Sequence, residues 1–94
     1  MNASKELTMS LTIDKRGIIR LGDTTTHGGK VILVGSISEV GGIRIARVGD
    51  KVICPLCKGI HLIVEGEATW RDDGIPVALH GHKTSCGASL VSSV

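Results

Sequence analysis

The chain has no phenylalanine and no tyrosine, and Trp70 is its only aromatic residue. A core must therefore be built from Ile, Val, Leu and Ala. The same lack leaves almost nothing for a nucleobase to stack on, which argues against single-strand binding. No run of Lys or Arg occurs, and the net charge is only +2. That is too little for a nucleic-acid surface. No apolar run approaches the length of a helical membrane span, and no signal-peptide core follows the ordinary, cytosolic-type start Met1–Leu7. No stretch carries a helical period, although Lys5-Glu6 offers a short helix as the alternative opening of the chain. The three cysteines are an odd number, which speaks against a disulfide framework and for metal binding.

What is present is glycine, 13 residues of it, among β-branched residues. The pattern suggests short strands joined by tight turns. A chain of 94 residues is one domain with a thin core, and such a core generally needs a staple. Leu7, Met9, Leu11 and Ile13 alternate with polar residues, which predicts a lead-in strand closed by a turn at Asp14–Gly17. Further strands are expected at Lys30–Ser36, Ile43–Val48, Ile60–Gly66, Ile75–His80 and Ser89–Val94. Turns are expected at Glu39–Gly42 and Trp70–Gly74. Pro76 removes a ladder donor and belongs at a strand start or edge. Val31, Leu33, Ile63 and Val94 are assigned to the core or to the base of the body.

A phrase recurs three times: Gly22-Asp23-Thr24-Thr25-Thr26-His27, Gly49-Asp50-Lys51-Val52-Ile53-Cys54 and Gly81-His82-Lys83-Thr84-Ser85-Cys86. The residues before it recur as well. Gly42, Ile43, Ala46 and Gly49 return 32 positions later as Gly74, Ile75, Ala78 and Gly81. A unit of this kind cannot bury a face alone, so three of them packed round an axis give an all-β, pseudo-three-fold body. Each phrase ends in a metal-ligand residue type, and the axis brings those ends together.

Cys54-Pro55-Leu56-Cys57 is a two-cysteine knuckle that suits tetrahedral zinc. The redox alternative for this spacing requires a βαβ setting that is absent. The candidates are His27, Cys54, Cys57, His82 and Cys86, five residues for four places, and spacing does not decide between them. The plainer readings are a core role for Cys54 and solvated turn roles for His27 and His82. His61 and His80 lie within strands and are reserves. Thiolate with imidazole favours Zn²⁺ over Mg²⁺ or Ca²⁺. A closed four-ligand site would be structural.

Nothing supports a catalytic site. Asp23 and Asp50 read as turn residues that accept backbone N–H bonds. Glu65, Glu67, Asp72 and Asp73 read as a solvated cluster. Ser85 has no nucleophile-elbow setting, and no phosphate-binding glycine loop occurs.

Several segments together resemble the PAAR-repeat family over residues 17–92. They are Gly22-Asp23-x-Thr25-x-His27-Gly28-Gly29, Arg44-Ile45-Ala46-Arg47-Val48-Gly49-Asp50, Cys54-Pro55-x-Cys57, Pro76-Val77-Ala78 and Gly81–Ala88. The namesake tetrapeptide is altered to Arg44–Arg47 and Pro76–Leu79. Cys57 stands where many members of that family carry His.

The resemblance implies one PAAR domain over residues 1–94, with 1–16 as a lead-in strand and turn. It implies a small cone with one structural zinc near its vertex. It also implies a function: the tip of the type VI secretion spike, a monomer seated on the end of the trimeric VgrG protein, sharpening the spike for membrane puncture and effector delivery. Such a tip would not be an enzyme. It would bind no nucleic acid and insert stably in no membrane. It would be cytoplasmic before firing and then exported without a signal peptide. With the chain ending at Val94, a bare tip without an effector domain is expected. The competing readings are a free-standing zinc adaptor for a protein or nucleic acid and, behind it, a small metallo-hydrolase.

Overall fold

The computed structural model describes residues 17–94. The lead-in strand and most of its turn, expected over residues 7–16, lie outside the described residues. Among the described residues every element is a strand and no helix occurs. The elements are β1 (Thr24–Thr25), β2 (Lys30–Leu33), β3 (Glu39–Val40), β4 (Ile43–Arg44), β5 (Lys51–Ile53), β6 (Ile60–Leu62), β7 (Glu67–Asp72), β8 (Ile75–Val77) and β9 (Leu90–Val91). The main sheet is antiparallel with order β6-β5-β2-β1-β9. Bridges from Ile63 to Thr84 and from Lys83 to Ser89 link its two outer strands, so the sheet curls round on itself. Two hairpins, β3–β4 and β7–β8, complete the fold.

The expected three-fold repeat is written into the backbone hydrogen bonds. Ile19 N–H donates to Ala78 O at 3.0 Å, Ala78 N–H to Ala46 O at 3.0 Å, and Ala46 N–H to Ile19 O at 2.8 Å, which closes a ring. A second ring runs beside it: Leu21 N–H to Arg44 O, Val48 N–H to Pro76 O, and His80 N–H to Gly17 O. Chains converging this closely leave little room, and alanine holds two of the three positions in the first ring. The chain turns away from the rings at Gly22, Gly49 and Gly81, whose φ values are 89°, 93° and 91°. A side chain is strained in that region, which is why all three copies keep glycine.

The core is aliphatic, as the composition requires. Ile19, Val31, Ala46, Val52, Ile63, Ala78 and Leu90 form one buried cluster. Ile18, Ile45, Val77 and Leu79 form a second, with Trp70 packed against it. Of the four residues assigned to core or base, Val31 and Ile63 are buried, whereas Leu33 and Val94 are exposed.

The two expected turns are shorter than the sequence suggests. β7 continues through Trp70 to Asp72, and the reversal is confined to Asp73 and Gly74, with φ of 54° and 81°. Likewise Glu39 and Val40 are strand, and only Gly41 and Gly42 turn, with φ of 62° and 83°. Two consecutive positive φ values make the tight hairpin turn whose twist matches its flanking strands. The polar residues on either side are free to pair as ladder. Pro76 lies in β8, whose strand partner is β7 in a two-stranded sheet. On its other side Pro76 contributes only its carbonyl, to Val48 N–H, so its missing N–H sits outside the main sheet's ladder.

Candidate metal centre

The second residue of each repeat phrase holds the turn together. Asp23 Oδ2 accepts the Arg20 N–H at 2.8 Å, and Asp50 Oδ2 accepts the Arg47 N–H at 2.7 Å. In the third copy His82 Nδ1 accepts the Leu79 N–H at 2.9 Å. The reciprocal backbone bond, from residue 23, 50 or 82 to the carbonyl three residues earlier, is 3.0 Å in all three copies. The imidazole of His82 thus stands in for a carboxylate. The aspartates do accept backbone N–H bonds, but from the residue three before, not from a residue ahead.

The fifth residue after each repeat glycine is His27, Cys54 or Cys86, and these meet at one end. Their loops are built alike. Gly28 N–H donates to Thr25 O, and Gly87 N–H to Thr84 O, both at 3.0 Å. Thr25 Oγ1 accepts from the N–H groups of His27 and Gly29. The His27 loop presses on β5 so closely that a Cβ at Gly29 would collide with Ile53 O. The second copy widens into the knuckle. Cys54 N–H donates to Gly59 O at 3.0 Å, and Cys57 N–H donates to Cys54 Sγ at 3.3 Å. This brings Cys57 in as a fourth member with no counterpart in the other copies.

His27 Nδ1 lies 3.5 Å from Cys57 Sγ, 3.7 Å from Cys54 Sγ and 3.8 Å from Cys86 Sγ. All four donor atoms lie within 4.8 Å of one another. A tetrahedral ion with metal–sulfur bonds of about 2.3 Å and a metal–nitrogen bond of about 2.0–2.1 Å gives sulfur–nitrogen edges of about 3.6 Å. The donor spacing therefore fits a single four-coordinate metal ion. Cys54 is buried, His27 and Cys86 are half-buried, and Cys57 is exposed.

The thiols themselves favour a cation. The hydroxyl of Thr84, 3.3 Å from Cys86 Sγ, is the main cause holding the Cys86 thiol down at about 6, against the desolvation that opposes it. Cys57 is pushed up to about 11, first by desolvation, then by hydrogen bonds to Cys54 and Cys86 and by their charge. Sulfurs this close resist becoming anionic together, and a bound cation removes that conflict.

The other sequence candidates are engaged elsewhere. His82 lies outside the four-residue group, at the turn described above. His80 Nδ1 accepts the Ser92 N–H at 3.1 Å. His61 stands beside the centre and ties two of its loops together. Its Nε2–H donates to Lys58 O at 2.9 Å, which leaves Nδ1 to accept from Ser85 Oγ at 3.4 Å. Sequence reasoning placed His61 only in reserve and gave no role to Thr25 and Thr84. Aligning the repeats would have found the threonines, each two residues before its ligand.

At the far end Asp72 is no solvated acid. It accepts from Ser38 Oγ at 2.7 Å, Ser36 Oγ at 3.0 Å and Arg47 Nη1 at 3.2 Å. The Ser38 hydroxyl first, then Ser36 and Arg47, hold its carboxyl below the ordinary value.

A family model described as PAAR motif matches residues 8–92. No curated protein matches the chain. With a family match over almost all of its length, and with the repeat visible in its hydrogen bonds, the chain belongs to the PAAR-motif family.

Proposed function

We propose that this protein is the tip of a type VI secretion spike, seated on the end of a trimeric VgrG protein and stapled by one zinc ion. The PAAR-motif family is a structural family associated with that spike in general. The observation that carries the reading to this chain is the closed ring Ile19–Ala78–Ala46, a three-fold arrangement made by one polypeptide. A monomer built this way can meet a trimer with each of its thirds facing one subunit.

The docking end is the one away from the metal ligands. There the hairpins β3–β4 and β7–β8 each stand as two-stranded sheets. Ile37, Val40, Ile43 and Val94 are exposed at that end, with Ile37 at 84%. Exposed aliphatic residues beside β3 and β7, each with a strand partner on one side, suit β-strand addition to the ends of a β-helical spike.

Zinc suits the donor set of three thiolates and one imidazole. Held by His27, Cys54, Cys57 and Cys86, it would supply closure of the pointed end rather than a reactive centre, because four protein ligands leave no place for water. The proposed course is assembly in the cytoplasm followed by export on the spike.

The test is co-purification of the metal-loaded chain with VgrG trimers encoded near its gene, read by native mass spectrometry. One chain per trimer is expected, and Val40→Asp or Ile43→Asp should abolish the complex while leaving the metal bound. Failure to bind any such trimer would return the protein to the class of free-standing metal modules.

A further inference from the structure

The small net charge conceals a segregation of the lysines, while the exposed arginines Arg44 and Arg71 stand with the acids on the hairpins. The described residues include four lysines, Lys30, Lys51, Lys58 and Lys83, and all four are exposed. Each lies within three residues of a member of the metal group: Lys30 of His27, Lys51 of Cys54, Lys58 of Cys57 and Lys83 of Cys86. The described carboxylates are elsewhere. Asp23 and Asp50 are buried in the repeat turns, while Glu39, Glu67, Asp72 and Asp73 belong to the two hairpins. Glu65 comes nearest, and its Oε1 accepts the Lys83 N–H.

The lysines do not stand on a polar face. Val31 and Val52 are paired across β2 and β5, and both are buried. Their neighbours in sequence therefore point outward. One outward row reads Lys30, Ile53, Ile60, and the next reads Leu33, Lys51, Leu62. Leu56, between the knuckle cysteines, is 67% exposed and Ile60 is 51% exposed. The rest of the curled sheet differs. Across β1 and β9 the outward row is Thr24 with a half-buried Val91 opposite it, and it carries no lysine and no exposed large apolar group.

We propose that this lysine-and-aliphatic face, running from β2 across β5 and β6 to the knuckle, binds an anionic lipid surface. Lysines without interspersed acids call for an anionic partner. β2 and β5 are paired on both sides. The outer side of β6 is taken at Leu62 by Ser85 and just beyond it by the Ile63–Thr84 bridge, which leaves little edge for a partner strand. Aliphatic side chains alternating with lysines suit the boundary between headgroups and acyl chains, where the lysine stems lie with the apolar groups and the ammonium groups meet phosphate. The proposal does not rest on the spike reading, because the docking hairpins lie at the other end.

The test uses the full chain, metal-loaded, sedimented with vesicles of phosphatidylcholine alone or of phosphatidylcholine and phosphatidylglycerol in equal parts. Binding is expected only to the anionic vesicles. It should disappear in about 1 M salt, where the screening length is about 3 Å. Lys30→Gln and Lys51→Gln should each weaken binding by about fivefold. Leu56→Ser should weaken it by about tenfold, with Ile60→Ser as a second variant should the first lose its metal. Metal content verifies that each variant is intact. Equal binding to both vesicles, binding to neither, or variants that bind like the parent would overturn the proposal. So would equally tight binding to polyglutamate or to DNA, which would assign the face to a soluble polyanion.

Discussion

The two ends of the molecule solve one problem by different chemistry. Both lie beyond the aliphatic clusters, where too few residues remain to bury apolar surface. At one end His27, Cys54, Cys57 and Cys86 converge with donor atoms within 4.8 Å. At the other, Arg47, buried, donates to the backbone carbonyl and the carboxylate of Asp72, which also collects two serine hydroxyls. Arg20 does the equivalent work in its own copy, donating to Val40 O and Ser93 Oγ. The metal end is arranged to be closed by an ion from solution; the hairpin end is closed by the chain's own arginines, hydroxyls and carboxylate. The difference shows that the repeat fixes the body but leaves each end to be closed with whatever polar groups the copies supply.

The largest expected effect comes from breaking the metal end. Structural zinc contributes on the order of 10–16 kcal/mol in small peptides, whereas a core of this size supplies about 3–5 kcal/mol net. Chelation, Cys54→Ser or Cys86→Ser should therefore abolish one equivalent of bound metal. The melting temperature should fall by more than about 15 °C, using about 4–8 °C per kcal/mol for a domain of this size. Elemental analysis with calorimetry checks this, and an unchanged melting temperature after complete chelation would remove the staple.

Breaking the hairpin end should cost less. Asp72→Ala leaves the buried Arg47 guanidinium without its carboxylate and should lower the melting temperature by less than chelation does. Metal content should stay at one equivalent. Loss of metal from this variant would mean that the two ends are not independent.

The third copy sharpens the comparison further. His82→Asp restores the residue used in the other two copies and should change stability by less than about 1 kcal/mol. His82→Ala leaves the Leu79 N–H without its acceptor and should cost about 1–3 kcal/mol. Neither should alter the metal stoichiometry, and a drop to zero in His82→Asp would make His82 a ligand after all.

Acid should separate the ends with the smallest signal. Thiolate and imidazole ligands take up protons as pH falls, so metal is released first. Asp72 follows. Its carboxyl lies below the ordinary 3.8 in the folded chain, so its contribution is complete above that value. The contribution is lost as pH falls through the lower, folded value. A titration of bound metal alongside the Asp72 carboxyl resonance should show two separate steps, metal first.

Much of the fold was legible because the repeat is local. Glycine at a positive φ, then Asp, then a ligand residue five after the glycine can be read without knowing any contact. The hairpin arms were harder, since Glu67–Asp72 carries no apolar alternation to mark it as strand. Only the two-residue turn at Asp73–Gly74 shows that the polar residues before it are paired. The solvated reading of Asp72 failed for a related reason, because Ser36 and Arg47 reach it across 36 and 25 residues of chain.

The sequence by itself determined the three-fold all-β body, the aliphatic core and the kinds of ligand available, because each follows from residue type at a fixed local spacing. The tertiary structure alone decided which four candidates meet. Cys57 enters through the knuckle's own turn, while His82 is drawn to the Leu79 amide, and that choice depends on distances no spacing encodes. It also decided that the described lysines gather at the metal end and most exposed acids at the hairpins. Charge along a chain becomes a field only once the turns have placed it.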